Sequence, residues 1–181
     1  DINMSDVNDV LNSAFSDDDD VIFDPSENGL IPEGSYPAHI VGIKSMIRPV
    51  RDGAGRADIY KPTYKISNSV RLYGGMEVPE NGIWRFRKAK SNPSKPSPPN
   101  NNRQFRNAMK ALDIEAVPVE VDGRKLFKLP ELNHGNTYGK PVIINVYHNT
   151  FDGKYGTQTT AEGKLASKWE DGGQLEEAIP F

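Results

Sequence analysis

Cysteine is absent from this chain of 181 residues, which excludes disulfide bonds, thiol catalysis and thiolate metal sites. Long hydrophobic runs are also missing, because no stretch approaches the roughly 18 apolar residues that a membrane-spanning helix requires. The N-terminus lacks the basic and then apolar pattern that is typical of a secretory signal. We therefore expect a soluble, cytoplasmic protein that does not bind membranes.

Patterns typical of catalytic and metal sites are scarce as well. The three histidines, His39, His134 and His148, are far apart, and none has the spacing of metal ligands. No glycine-rich phosphate loop is present, and the four aspartates at 17–20 lack the alternation of a calcium-binding loop. We therefore predict no catalytic residue, no metal site and no cofactor, and expect a protein that is not an enzyme.

The charge is distributed very unevenly along the chain. The formal net charge of −3 comes from 22 Lys and Arg against 25 Asp and Glu. Residues 1–43 hold 10 acidic and no basic side chains, and residues 169–181 hold 4 acidic and no basic ones. Residues 44–168 hold all 22 basic side chains against 11 acidic ones, an excess of 11 positive charges. Such a body attracts polyanions, of which nucleic acid is the most obvious.

Composition divides the chain into three parts. Residues 1–29 combine acidic and turn-forming residues and are predicted to be an acidic N-terminal segment. Residues 30–168 are predicted to form one domain, interrupted at 91–102 by a stretch whose four prolines favour a mobile surface loop. Residues 169–181 form an acidic C-terminal tail.

Alternating apolar residues and glycine-rich turns predict a chain made mainly of strands. One helix is predicted at 103–112, where Phe105, Met109 and Leu112 share a face and Asn102 serves as N-cap. Pro62 interrupts a strand and indicates an edge position or a bulge there. The strands are predicted at residues 35–44, 58–66, 70–73, 82–88, 117–121, 125–129, 142–148 and 155–160.

Many short strands with one central helix favour a small closed or partly closed barrel over βαβ units. We predict a mainly β protein with a five-stranded oligonucleotide-binding (OB) barrel, one helix, extra β-hairpins and acidic flexible termini. Such a barrel usually has a helix between its third and fourth strands. The predicted helix stands at that place in the chain.

Aromatic and basic side chains alternate along the predicted strand 82–88. Alternation places Trp84, Phe86 and Lys88 on one face and Arg85 and Arg87 on the other. Single-stranded nucleic acid is bound by such mixtures, since cations follow the phosphates and bases stack on aromatic rings. The alternative is that Trp84 and Phe86 belong to the core. The candidate DNA-binding residues, taken from this strand and from basic and aromatic positions near it, are Arg48, Arg51, Arg56, Lys61, Tyr64, Lys65, Arg71, Tyr73, Trp84, Arg85, Phe86, Arg87 and Lys88.

The last residues of the chain are acidic and end in Ile179-Pro180-Phe181. They resemble the tail of bacterial single-stranded-DNA-binding proteins, with Glu176 and Glu177 where that family has Asp. In that family the tail docks replication and repair enzymes, and the last aromatic ring enters an apolar pocket. The resemblance implies that Glu176, Glu177, Ile179, Pro180 and Phe181 bind partner proteins. An acidic tail tethered to a basic body also competes with DNA.

The body resembles, more diffusely, the divergent phage-encoded single-stranded-DNA-binding proteins, through the stretch from Ile31 to Tyr36, the long insertions and the glycine-rich later strands. We therefore expect a protein, compatible with a homo-oligomer, that binds single-stranded DNA without strong sequence preference. It would protect DNA during viral replication, recombination or repair in the host cytoplasm and recruit replication or recombination proteins through its tail.

The sequence is also compatible with two other functions. The first is a viral structural or capsid-associated interaction protein with a β-rich basic body. The second is a nuclease, for which Asp58, Asp113 and Asp122 would have to form a carboxylate cluster.

Overall fold

A computed structural model describes residues 30–50, 55–88 and 102–175 of the protein, except for the side chain of Lys88. These residues form eight strands and two helices, so the prediction of a mainly β protein is confirmed. None of the described helices is long and apolar enough to cross a membrane. The elements in chain order are β1 (Gly34–Val50), β2 (Gly55–Ile66), β3 (Glu77–Pro79), β4 (Ile83–Lys88), α1 (Arg103–Ala111), β5 (Val117–Val121), β6 (Arg124–Lys128), α2 (His134–Thr137), β7 (Pro141–Gly153) and β8 (Gly156–Lys168).

The strands form two antiparallel sheets. In the large sheet the order is β3-β2-β1-β7-β8, and β4 pairs with β2 next to β3, whereas β5 and β6 form a separate hairpin. Within the described residues these ladders do not close into a barrel. The two ends of the large sheet touch at an isolated parallel bridge between Glu80 and Gly163.

Pro62 lies inside β2, at the point where the strand that pairs with this edge of β2 changes from β4 to β3. Residues 55–60 of β2 pair with β4, and residues 63–65 pair with β3, so Pro62 belongs to neither ladder. On its other side, β1 has a bulge between Ile40 and Gly42. The predicted irregularity is therefore present, although β2 is an internal strand. Proline has no backbone N–H, and it fits between the β4 and β3 ladders because neither of them needs a hydrogen-bond donor at position 62.

The core lies between the large sheet and α1. Alternation along β2 buries Tyr60 and Tyr64, and α1 contributes Phe105 and Met109 to the same cluster, followed by Leu112 just after the helix. The rings of Tyr60 and Phe105 have their centroids 6.0 Å apart. The predicted helix and its buried face are thus confirmed.

Asn102 precedes α1 but does not cap it with its side chain, which corrects that part of the prediction. Its Oδ1 instead accepts a hydrogen bond from the backbone N–H of Phe86 at 2.7 Å, and its Nδ2 donates to the Phe86 carbonyl at 3.2 Å. Gln104 makes the same kind of contact, accepting from Trp84 N–H at 3.3 Å and donating to the Gly82 carbonyl at 3.0 Å. Two side chains at the start of the helix therefore hold the edge of β4 that does not face β2.

Two further predictions of secondary structure were wrong in the described part of the chain. Residues 70–73 lie in turns instead of a strand. Leu72 has a positive φ of 76°, and the N–H of Gly75 donates a hydrogen bond to the Ile66 carbonyl at 2.8 Å. Only one helix was predicted, whereas the structure also has the short helix α2, which Asn133 and Asn136 cap reciprocally. Segment 1–29, residues 91–101 of the predicted loop, Arg51 and tail residues 176–181 lie outside the described residues.

Candidate nucleic-acid interface

The strand registers place one continuous set of side chains on the surface side of β1, β2 and β4. Residues directly opposite each other in an antiparallel pair project to the same face. Trp84 stands opposite Ile59, and Ile59 stands opposite Met46. We call this set the outer face, and its members are Lys44, Met46, Arg48, Ala57, Ile59, Lys61, Trp84 and Phe86.

Trp84 and Phe86 form the aromatic part of the outer face. Their rings stack with centroids 5.8 Å apart and an angle of 24° between the planes. Both side chains are half-buried, while Ala57 and Ile59 of the neighbouring strand are buried. Neither ring belongs to the central core cluster. Part of each ring is therefore available to a ligand above the sheet.

Basic side chains border these rings. Lys44 and Lys61 stand opposite each other in β1 and β2, and Arg48 follows Lys44 on the same face of β1. Lys44 and Arg48 are exposed, and Lys61 is half-buried. None of the three forms a salt bridge with any described residue. The positive charge of the outer face is therefore not neutralised by the described part of the protein.

The arginines of β4 project to the opposite face, where carboxylates hold them. Arg85 is buried, and its Nε and Nη2 lie 3.0 and 2.9 Å from Oδ2 of Asp58. Arg87 Nε lies 2.9 Å from the same oxygen, and Nη2 of each arginine also lies within 3.5 Å of Oε1 of Glu131. Arg85 Nη1 donates to the Leu129 carbonyl at 3.0 Å. These contacts attach β4 to β2 and to the segment after β6.

Tyr64, another predicted DNA-binding residue, lies in the core. Its hydroxyl donates to Oε1 of Glu80 at 3.0 Å, and the same carboxylate accepts from Gly82 N–H and Leu165 N–H, each at 2.9 Å. Burial raises the pKa of Tyr64 well above its usual value and also raises the pKa of Glu80. Tyr64 and Arg85 are thus corrections to the predicted site, because buried and internally bonded side chains offer no surface to DNA.

The other predicted residues are spread over several elements. Lys65 lies on the outer side of β2 opposite His39, at the end away from Trp84. Arg56 projects to the other face of β2, whereas Arg71 and Tyr73 lie in the turns between β2 and β3. The structure therefore brings together four of the predicted residues on the outer face, namely Arg48, Lys61, Trp84 and Phe86.

Sequence reasoning missed Lys44, Met46 and Ile59 of the outer face. The alternation of Lys44, Met46 and Arg48 is present in the sequence, but the predicted strand ended at residue 44, whereas β1 continues to Val50. Ile59 resembles an ordinary core residue in the sequence. Its place under Trp84 depends on the pairing of β2 with β4.

A cleft of about 400 Å³ adjoins the outer face. It opens between β2, the turn from β3 to β4, and the paired strands β7 and β8, and it shares Lys61 with the outer face. Tyr147 of β7 is 50% exposed and stands opposite Glu162 of β8. Asn81 of the turn and Asn149 of β7 also line the cleft.

The aspartates considered for a nuclease are not brought together. Asp58 binds two arginines, and Asp113 pairs with Lys168 at 2.5 Å. Within residues 30–50, 55–88 and 102–175, no group of three or more His, Cys, Asp or Glu side chains could hold a metal ion.

Comparison with known proteins adds no relative. No family model, no curated protein and no solved structure matches the chain.

Proposed function

We propose that the protein binds single-stranded DNA on the outer face, without strong sequence preference. The observation that carries the proposal is the stacked, partly exposed pair of Trp84 and Phe86, bordered by Lys44, Arg48 and Lys61, which have no carboxylate partner in the described part of the chain. Bases stack on such rings regardless of their identity, and the cations follow the phosphates.

Single strands suit this surface better than duplex DNA. In a duplex the bases are stacked inside the helix, and only their edges face the grooves. The faces of Trp84 and Phe86 can therefore stack on bases only where the strand is unpaired. Since β4 is held by Asn102 and Gln104 on one edge and by β2 on the other, the rings are presented on a fixed strand.

We further propose that the large sheet is an incompletely closed OB barrel. Support comes from the strand order, from the position of α1 between β4 and β7, and from contacts where the two ends of the sheet meet. There, Asn81 N–H donates to the Gly163 carbonyl at 2.9 Å, beside the parallel bridge of Glu80 with Gly163. OB folds bind oligonucleotides on one face of their central strands, which agrees with the location of the outer face.

The wider role follows from the resemblances found in the sequence. The protein would cover single-stranded DNA during viral replication, recombination or repair in the host cytoplasm, and Glu176, Glu177, Ile179, Pro180 and Phe181 would dock partner proteins. These tail residues lie outside the described part of the chain, so docking rests on the sequence alone.

The proposal is tested by titrating the full chain into a fluorescent oligothymidine and into a duplex of equal length. We expect tighter binding to the single strand, and Phe86→Ala should weaken it about 5- to 150-fold, as expected for the loss of one stacking platform. Phe127→Ala is the matched control, because Phe127 is 61% exposed on the separate hairpin of β5 and β6. Equal affinity for single strand and duplex would contradict the proposal and favour the structural, capsid-associated alternative.

A further inference from the structure

We propose that the cleft beside the outer face is a subsite for one nucleobase, and that it accepts a base with an exocyclic amino group better than a 4-oxo pyrimidine. This inference rests on the proposed binding of single-stranded DNA. It adds a local base preference to a surface that otherwise tolerates any sequence.

The location of the cleft makes it a continuation of the outer face. Lys61 belongs to both, so a strand whose phosphates lie along the basic residues passes the mouth of the cleft. The volume of about 400 Å³ lies in the range of about 300–1,000 Å³ that is usual for small-molecule sites. Tyr147 forms part of its wall and is half exposed, which provides a ring on which an unstacked base can lie.

The polar groups in the cleft differ in whether they have partners. Glu80 accepts hydrogen bonds from Tyr64 and from two backbone N–H groups. By contrast, the side chains of Asn81, Asn149 and Glu162 make no hydrogen bond or salt bridge with any described residue. In a binding cleft, a small number of such polar groups can fix the orientation and the identity of the ligand.

The chemistry of Glu162 determines which base fits. An ionised carboxylate only accepts hydrogen bonds. The amino groups of cytosine, adenine and guanine donate hydrogen bonds, whereas thymine and uracil have an acceptor oxygen at position 4. The asparagine amides donate and accept, so they can contact either kind of base. Thymine and uracil also carry a donor at N3, so the discrimination concerns position 4 of the pyrimidine, where Glu162 favours an amino group and repels a carbonyl oxygen.

The test compares two oligonucleotides that differ at the relevant atoms. Oligodeoxycytidine and oligodeoxyuridine of equal length are titrated with the full chain at one salt concentration, and the ratio of their affinities is measured. Glu162→Gln should reduce the preference for cytidine about 5-fold, because an amide both donates and accepts. Loss of a negative charge tightens the binding of both oligonucleotides alike, so the ratio separates base recognition from charge.

Two further variants make the outcome decisive. Glu170→Gln removes an exposed carboxylate just after β8 and outside the cleft, and it should leave the ratio unchanged. Asn149→Ala removes a second polar group of the cleft on an exposed position and should lower the affinity for both oligonucleotides. An unchanged ratio in Glu162→Gln, or the same change in Glu170→Gln, overturns the inference while leaving the proposed function intact. Failure of the wild-type protein to bind either oligonucleotide overturns the proposed function itself.

Discussion

Oδ2 of Asp58 lies 2.9 Å from Nη2 of Arg85, and the two side chains are only 5% and 10% exposed. Because Asp58 belongs to β2 and Arg85 to β4, this pair holds β4, which carries the aromatic part of the outer face, against β2. Arg85 therefore contributes to the binding surface by fixing β4, not by touching DNA.

Removing the carboxylate should destabilise the protein strongly. Asp58→Ala leaves the guanidinium of Arg85 buried without its main partner, and such losses cost about 3–5 kcal/mol of the free energy of unfolding. Asp113→Asn is the control, because Asn tolerates the left-handed backbone at this position (φ 54°), the pair of Asp113 with Lys168 is 66% and 36% exposed, and exposed pairs contribute about 0–1 kcal/mol. Urea denaturation of both variants measures the difference. Equal losses in the two variants would show that the buried pair has no special role.

Paired and unpaired arginines should differ in how they affect the salt dependence of DNA binding. Arg48 is exposed on the outer face and has no salt bridge to a described residue, whereas Arg87 is bound by Asp58 and Glu131. Each phosphate contact contributes about 0.7 to the slope of log K against log salt for single strands. Arg48→Ala should therefore lower the magnitude of the slope by about 0.7, and Arg87→Ala should lower it much less. Titrations at four or more salt concentrations measure both slopes, and the reverse order would place the DNA on the other face of β4.

Arg85 and Arg87 of β4 also show what the sequence could and could not predict. The alternation along β4 correctly separated Trp84 and Phe86 from Arg85 and Arg87, because the period of a strand is a local property. The partner of Arg85 could not be found in this way, since Asp58 lies 27 positions away and meets it only through strand pairing. Nothing in the local pattern marks that aspartate as a partner.

Tyr64 and the cleft show the same limit. Tyr64 looked like a surface aromatic among lysines, but alternation along β2 turns it inward to Glu80. The cleft combines residues of β2, a turn, β7 and β8, which are far apart in the chain. Helix α1 was predicted well because its buried residues follow one another at helical spacing within a single segment.

Glu80 should make stability depend on pH. Burial is the largest influence on its carboxyl group and raises the pKa in the folded state. The folded protein therefore holds this proton more tightly than the unfolded chain does. The resulting stabilisation is present below the unfolded pKa and is lost as the pH rises through the folded pKa.

The variant Glu80→Gln, which cannot titrate, isolates this effect. The free energy of unfolding of the wild type relative to Glu80→Gln should fall as the pH is raised from about 4 through the raised folded pKa. Glu77→Gln, three residues earlier in β3, is the control, because its side chain is exposed. Urea denaturation over a pH series measures the differences. A relative stability that rises with pH would mean that the three hydrogen bonds to the carboxylate outweigh its burial.

The C-terminal residues should compete with DNA for the basic surface. The chain is attached to the body as far as Leu175, whose N–H donates to the Gly139 carbonyl at 2.9 Å. Just before it, the Gly173 carbonyl accepts from Nε2 of His39 at 2.7 Å, and His39 stands opposite Lys65 of β2. Six further residues reach about 20 Å when extended, whereas the four positions from Lys65 to Lys61 span about 13 Å. A stretch of six residues is therefore longer than the distance along β2 from Lys65 to Lys61.

Deleting residues 176–181 should tighten the binding of oligothymidine at low salt and have little effect at high salt, because the competition is electrostatic. The midpoint of thermal unfolding should stay the same, since the contacts of His39 and Gly139 with the preceding residues remain. Replacing Glu176 and Glu177 by Gln in the full chain should reproduce most of the change, because it removes the charge and keeps the length. Fluorescence titrations at two salt concentrations measure the effect. If the deletion tightens binding and the double replacement does not, the apolar residues of the tail, and not its charge, compete with DNA.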